Sequence, residues 1–309
     1  MAARLPKTLY HYCSLQTFYN IVKSRSFWLT DISKSNDSQE LKWIKGKCKD
    51  YISKAWLEYA KAVIKKGDFG KNNFDRYYEL QSNLDDFYDF DTERCWAFCL
   101  TERPDHLGQW RGYADDGKGI AIGFKSSYFN RLYKEGVVED PLECNVSFDV
   151  IQYKEKEIEE LFYETGKLST INDQMNSDEV IGILKYSVVR ALLLAPFYKS
   201  EKFSEEKEWR FVFSIYLSDL MNGVNPKTKF ANRFPNKELG YDYIIRNQEL
   251  VSHIVFTDDS LASNISDIWI GPKCKVSAID VKLFLISEGF LKDFDDDSIK
   301  IHISQASYR

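Results

Sequence analysis

Short strand-like runs and stretches with helical spacing alternate along the amino-terminal part of the chain. Residues Thr8–Cys13 alternate with a period of two, which puts His11 and its odd-numbered neighbours on one face and Tyr12 on the other. Ser14 is a natural N-cap for a helix, because apolar residues recur at helical spacing directly after it. Residues 27–30 form a second apolar run, and residues 31–38 are polar. The opening segment therefore predicts a strand, a helix, a strand and a polar loop.

The rest of the pattern combines further short strands with two helical segments. A charged helical pattern over about 39–90 predicts a helical insertion, and a second helical segment covers about 155–198. Residues 219–240 contain Pro226 and Pro235 and predict a long loop. The strand-like runs are 94–100, 119–124, 143–153, 209–216, 250–256, 267–270 and 299–304. This mixture predicts an α+β fold, a mostly antiparallel mixed sheet with helical insertions, in a single domain over residues 1–309.

The stretch S-E-K-F-S-E-E-K-E-W-R-F-V-F-S-I-Y over residues 200–216 passes abruptly from charged residues to an aromatic and β-branched run. Its second half reads as a buried strand, so carboxylates are presented at the mouth of that strand. Period two puts Glu206, Glu208 and Arg210 on one face, opposite to Trp209. Two interpretations remain open: a functional acid cluster at the rim of a core, or a solvated loop whose acids and bases pair with one another.

The bulk composition narrows the class of protein. The chain has 309 residues, of which 44% are hydrophobic, so it can bury a substantial core. Lys and Arg number 42 against 47 Asp and Glu, which disfavours nucleic acid as the main partner. The amino terminus lacks the apolar region of a signal peptide, and the most apolar interior stretch is too short to span a membrane. We therefore expect a soluble, cytoplasmic protein with no membrane partner.

Cysteine and histidine usage gives no sign of metal binding. The six cysteines are too sparse for a disulfide framework. Cys95 and Cys99 fall on the same face of a predicted strand, which favours buried thiols over a zinc site. None of the four histidines has metal-ligand spacing to another His or Cys, so no metal is expected. Motifs of the forms G-x-G-x-x-G, G-x-x-x-x-G-K-[ST], H-E-x-x-H and G-x-S-x-G are absent.

Three groups of side chains could carry chemistry: His11 in the first strand, Trp110 with Tyr113 before a glycine-containing strand, and Glu206 with Glu208. The first two also have a structural explanation. A strand histidine is commonly buried and bonded to a carbonyl group. Aromatic residues three apart on a helical turn are more often core residues than a stacking platform.

Several sequence blocks resemble a known bacterial family. The blocks are L-Y-H-Y-C-S-L, F-W-L-T-D-I-S-K-S-N-D-S, W-R-G-Y-A-D-D-G-K-G-I-A-I-G-F, E-K-E-W-R-F-V and I-W-I-G-P-K-C. Together they look like the family catalogued as domain of unknown function 2971, and they extend in order from about residue 9 to residue 274. This resemblance implies no activity.

A second resemblance does imply an activity. A His in the first strand, an aromatic segment and a late strand opening with Glu-x-Glu are similar to the order of parts in ADP-ribosyltransferases. That resemblance implies an ADP-ribosyltransferase-like sheet that takes NAD as substrate. By the same resemblance, the catalytic residues are Glu208, Glu206 and His11, and NAD is bound by His11, Tyr12, Trp110, Tyr113 and Arg210. The family has a glycine after this His, where the present chain has Tyr12.

The leading hypothesis is an NAD-cleaving enzyme that transfers ADP-ribose to a protein or nucleic-acid acceptor or to water, as a bacterial toxin or phage-defence effector. The alternative is a non-catalytic module that senses a nucleotide or binds a protein in the same cleft, with Arg111, Lys118 and Arg210 holding phosphate. A third interpretation is purely structural. In it, His11 and Arg210 close on Glu206 or Glu208 as buried ion pairs.

Overall fold

The computed structural model describes residues 4–34, 40–65, 93–138 and 145–308. The first part of the predicted insertion at about 39–90 is a long helix, and its second part lies outside the described residues. The predicted segment at about 155–198 contains two helices that follow one another.

Strands and helices alternate along the described chain much as the pattern predicts. The strands are β1 (Thr8–Cys13), β2 (Ser26–Asp31), β3 (Glu93–Thr101), β4 (Ile120–Lys125), β5 (Asn145–Val150), β6 (Glu208–Tyr216), β7 (Glu238–Arg246), β8 (Glu249–Thr257), β9 (Ile265–Ile270) and β10 (Lys300–Ile303). The helices are α1 (Leu15–Ser24), α2 (Glu40–Lys65), α3 (Leu107–Tyr113), α4 (Ser126–Gly136), α5 (Glu155–Thr165), α6 (Ser177–Leu194), α7 (Leu217–Met221), α8 (Pro226–Ala231), α9 (Leu261–Asn264) and α10 (Ala278–Ser287). Short 3₁₀ turns lie at Ile32–Lys34, Leu168–Thr170, Ala195–Phe197 and Glu201–Glu206.

The strands form one large, mostly antiparallel open sheet, which confirms the mixed α and β architecture. Its main order is β10-β9-β4-β1-β3-β2-β8-β7, with β6 paired to β3 and β5 paired to β6. Among the described strands, β9 with β10 is the parallel pair, and the others are antiparallel.

The sheet divides at β3. Along one edge β3 pairs with β6 over its whole length. Along the other edge it pairs with β1 at Thr101, opposite Tyr10, and with β2 at Ala97 and Trp96. Among the described strands, none pairs with residues 98–100 on this second edge, and we call this opening the gap. At the gap β1 and β2 diverge: beyond it β1 pairs with β4, and β2 pairs with β8.

Apolar side chains cover both faces of the central strands. The main core lies on the face of Phe98, Leu100 and Phe211, where helices α1, α4 and α10 pack. On the opposite face, Cys95, Ala97 and Val212 pack against Phe197 and Ile151. Helices α2, α5 and α6 share a separate apolar cluster. No helix in the described ranges has both the length and the apolar character needed to cross a membrane.

The prediction of a long loop over residues 219–240 is wrong. Pro226 begins α8, where its fixed backbone angle suits the first helical position, and Asn225 caps the helix by accepting from the Lys227 amide. The same region also contains the start of β7, which the pattern did not predict. Strand β7 lies at the edge of the sheet, and many of its side chains are exposed, so it lacks the apolar run that marks a buried strand.

Candidate functional site

A buried network of charged side chains lies at the start of β6. The Lys199 ammonium group is 2.7 Å from Oε2 of Glu206 and 3.2 Å from Oε2 of Glu208. Arg210 donates from Nε to Oε1 of Glu208 at 2.7 Å and from Nη2 to Oε2 at 3.2 Å. Glu208, Arg210 and Lys199 are all buried. Among these four side chains, two carboxylates therefore share two cations.

Backbone and tyrosine groups complete this network. The Arg210 Nη1 atom donates to the carbonyl oxygen of Pro196 at 2.7 Å. The Glu208 amide donates to the hydroxyl oxygen of Tyr153 at 2.9 Å. The Tyr113 hydroxyl donates to Oε1 of Glu206 at 3.0 Å. Buried charges need this degree of satisfaction, because an unpaired buried charge is strongly destabilising.

Glu208 stays ionised in this environment. Burial acts to raise the pKa of its carboxyl, but the charges of Arg210 and Lys199 and the hydrogen bonds from Arg210 outweigh burial and lower the pKa to about 2. At neutral pH the site therefore holds a fixed negative charge whose cations are already in place.

Cys99 lies next to Glu208 on the same face of the sheet. Its strand partner is Arg210, and the Glu208 carboxylate lies close to its side chain. The prediction of a buried thiol is confirmed for Cys95 and wrong for Cys99, which is solvent-exposed. Cys99 belongs to the part of β3 that borders the gap, where no strand covers its edge.

The strand register puts His11 and Glu208 on opposite faces of the sheet. Tyr10 lies opposite Thr101, and Thr101 lies opposite Glu208. Directly opposed residues share a face, so Glu208 belongs to the face of Tyr10, whereas His11 belongs to the other.

The His11 ring lies at the gap. It stacks on Phe98 with 4.1 Å between ring centroids, and its Nδ1 atom is 2.9 Å from the carbonyl oxygen of Cys99. Burial lowers the pKa of His11 to about 4, although the bond to the Cys99 carbonyl opposes this shift, so the ring is neutral at pH 7. A carbonyl oxygen can only accept, so Nδ1 carries the proton and Nε2 is an acceptor.

The predicted aromatic residues separate into core and surface. Trp110 is fully buried, packs edge-on to Tyr12 at 4.6 Å and donates from Nε1 to Asp105 at 2.7 Å. Tyr12 is also buried, and its hydroxyl donates to the carbonyl oxygen of Arg103. Tyr113, with 41% of its surface exposed, is the residue of this group whose ring can meet a ligand.

The structure thus brings most predicted residues together through Cys99. Its carbonyl accepts from His11, its side chain lies beside Glu208, and the network beyond Glu208 reaches Glu206 and Tyr113. Trp110 and Tyr12 support this region from the core. Arg210 is committed to Glu208 and to the chain near Pro196 rather than reaching outward.

Sequence reasoning missed Lys199 and Cys99 as members of this site. A lysine at the end of a helical segment gives no signal of burial, because lysines are almost always exposed. The one available sign was the excess of nearby acids, with Glu201, Glu205, Glu206 and Glu208 all following it.

Of the predicted phosphate-binding cations, Arg111 lies over the ring of Tyr308 at 4.7 Å, away from the acid pair. In the described part of the chain, no three His, Cys, Asp or Glu residues are grouped so that they could hold a metal ion.

Comparison with known proteins gives one match. No curated protein and no solved structure matches the chain. The matching family model covers Trp110, Tyr113, Glu206, Glu208 and Arg210, but not His11. Residues 109–211 match the family described as protein of unknown function (DUF2971), which confirms the resemblance to that family predicted from the sequence blocks.

Proposed function

We propose that this chain binds NAD in the cleft at the gap and cleaves the bond between nicotinamide and ribose. We call the proposed site the cleft: Cys99, Tyr113, Glu206 and Glu208 form it on one face of the sheet, and His11 reaches the gap from the other face. The observation that carries the proposal is the position of Cys99, which links a neutral histidine to an ionised carboxylate where the sheet edge is open. The ADP-ribosyltransferase-like type of sheet is part of this proposal and rests on the sequence resemblance.

The chemistry needs groups that stabilise positive charge on the sugar. Loss of nicotinamide gives the ribose oxocarbenium-ion character, as in glycoside hydrolysis. A preorganised carboxylate strengthens its interaction with the sugar as that charge develops. Glu208 has the required ionisation, and its cations hold it in one orientation.

Cys99 marks the place where a ribose hydroxyl enters. Glu208 accepts from two Arg210 nitrogens and from Lys199, and a carboxylate has about four lone-pair sites in all. Cys99 lies beside this carboxylate, and solvent reaches Cys99. A ribose hydroxyl that enters past Cys99 takes the remaining site on Glu208.

His11 and Tyr113 complete the proposed binding mode. The Nε2 atom of neutral His11 accepts a hydrogen bond from another ribose hydroxyl. The exposed ring of Tyr113 stacks on the nicotinamide until it leaves. ADP-ribose then passes to a macromolecular acceptor or to water.

A second candidate is nucleotide binding without turnover. It is favoured by the engagement of Glu208, because each of its two oxygens already accepts from a cation of the protein. In this case the ligand contacts Tyr113 and Glu206, and the Glu208 network only holds the cleft in shape. Both candidates require NAD to bind at the cleft, and nicotinamide release separates them.

Calorimetric titration of the protein with NAD tests the site. We expect saturable binding that Tyr113→Leu weakens about tenfold, because aromatic stacking of a base contributes about 1–3 kcal/mol. The matched control is Tyr19→Leu, since Tyr19 on α1 has a similar exposure of 45% and lies outside the cleft. Equal affinity of the Tyr113→Leu protein and the wild type contradicts the proposed site.

A further inference from the structure

A second cleft lies on the other half of the sheet, away from Glu208. It has a volume of about 470 Å³ and is bounded by the ends of β2 and β3, by strands β7 and β8, and by the segment from α7 to α8. Its size falls within the roughly 300–1,000 Å³ typical of small-molecule sites. None of the residues that form the site at the gap lines it.

A buried carboxylate lies in the wall of this cleft. Asp31 is buried, and its Oδ1 atom accepts from the amide of Ser33 at 2.9 Å and from its hydroxyl at 2.6 Å. Its Oδ2 atom accepts only a long bond of 3.3 Å from the Ser252 hydroxyl among the described residues. Asp31 thus keeps acceptor capacity toward the cleft, where a ligand with N–H donors can use it.

Cationic groups lie close to this carboxylate. The Ser33 hydroxyl, which donates to Asp31, accepts from Nη1 of Arg94 at 3.4 Å, so one oxygen lies between the two charged side chains. Lys34 also lines the cleft and forms a surface ion pair with Glu249 at 3.2 Å. Exposed pairs of this kind contribute little and yield readily to a ligand. A carboxylate and a guanidinium are therefore linked through one hydroxyl, and a second cation lines the same cleft.

Apolar side chains also line the cleft. Leu217, Leu220 and Pro226 are among them. At the rim, Met221 is 80% exposed and Tyr243 is 52% exposed, although both are large apolar or aromatic side chains. Exposed apolar groups around a concave site with convergent polar groups are characteristic of ligand sites.

We propose that this cleft binds a small apolar zwitterion, of which a free apolar α-amino acid is the simplest example. Asp31 accepts from the ammonium group, Arg94 and Lys34 hold the carboxylate, and the apolar wall with Met221 receives the side chain. An α-amino acid carries both charges on adjacent groups, which matches the linkage of Asp31 and Arg94 through Ser33. This proposal does not depend on NAD binding at the gap.

Titration of the wild-type protein with L-leucine, N-acetyl-L-leucine and L-leucinamide tests each charge separately. We expect saturable binding of L-leucine by calorimetry or by ligand-observed NMR. Loss of either charge is expected to weaken binding by about tenfold or more, because hydrogen bonds in which one partner is charged are the strong ones. L-phenylalanine is expected to bind as well, since the apolar wall is not selective.

Two variants locate the binding. Asp31→Asn keeps the shape of the side chain and is expected to reduce L-leucine affinity at least tenfold, without changing the binding of NAD. Because Asp31 also holds the Ser33 turn, Met221→Gln at the exposed rim provides a second variant that folds normally and weakens binding several-fold. Leu283→Gln, at an exposed position on α10, is the control and leaves affinity unchanged. Absence of saturable L-leucine binding, or equal binding of the acetylated and free forms, overturns the proposal.

Discussion

Replacing Arg210 with Met is expected to lower the free energy of unfolding by about 3–5 kcal/mol, the range found when one partner of a buried ion pair is removed. Arg210 supplies two of the hydrogen bonds to Glu208 and one to the carbonyl of Pro196. Its loss leaves a buried carboxylate with Lys199 as its remaining cation. Urea denaturation at pH 7, followed by circular dichroism, measures the change.

Two control proteins define this result. Arg111→Met removes an exposed arginine and is expected to change the stability by less than about 0.5 kcal/mol. The double variant Glu208→Gln with Arg210→Met removes both charges and is expected to recover much of the loss, because a neutral amide tolerates burial better than a carboxylate. An Arg210→Met protein within about 1 kcal/mol of wild type contradicts the description of a buried, mutually dependent network.

Replacing Lys199 with Met is expected to have a comparable effect, again about 3–5 kcal/mol, for a different reason. Lys199 is the cation shared by Glu206 and Glu208, so its loss leaves two neighbouring carboxylates with Arg210 as the remaining charge partner. Addition of Glu206→Gln to this variant removes one of the negative charges and is expected to restore part of the stability. The same substitution in the wild-type background is expected to be destabilising.

The pH dependence of the stability of the Lys199→Met protein tests the direction of the pKa shift of Glu208. In the wild type the folded pKa of Glu208, about 2, lies below its ordinary value of 4.5. The unfolded chain therefore binds the proton first, and the stability contributed by Glu208 is present above pH 4.5 and lost between 4.5 and about 2. Without Lys199 the pKa of Glu208 in the folded state rises, so the variant loses less stability than the wild type as the pH falls. The stability difference between the two proteins is expected to narrow over this range, and a constant difference contradicts the role given to Lys199.

Local features of the fold follow from local sequence. The hydroxyl of Ser14 accepts from the Thr17 amide at the start of α1, as the capping pattern predicts. Along β6, Glu208 and Arg210 share one face and Trp209 lies on the other, as period two requires. The edge strand β7 was missed because its exposed side chains give no apolar run.

The assembly of the site depends on long-range pairing, which a single sequence does not determine. The resemblance put His11 beside Glu208, but the registers of β1, β3 and β6 put them on opposite faces, with Cys99 as the link. A one-residue shift in register would reverse this relation, and no local pattern determines that register. Lys199 was missed because its burial results from tertiary contacts with two carboxylates from the following turn and strand.

The most direct measurement for the central claim is nicotinamide release from NAD by the purified protein, with wild type, Glu208→Gln and Glu201→Gln compared at equal concentration. We expect release by the wild type and by Glu201→Gln, whose glutamate is exposed and outside the network. In Glu208→Gln we expect a loss of about 10²–10³-fold, the effect of removing one preorganised electrostatic group. NAD that binds but releases no nicotinamide with any of the three proteins contradicts catalysis and leaves nucleotide binding as the function of the cleft.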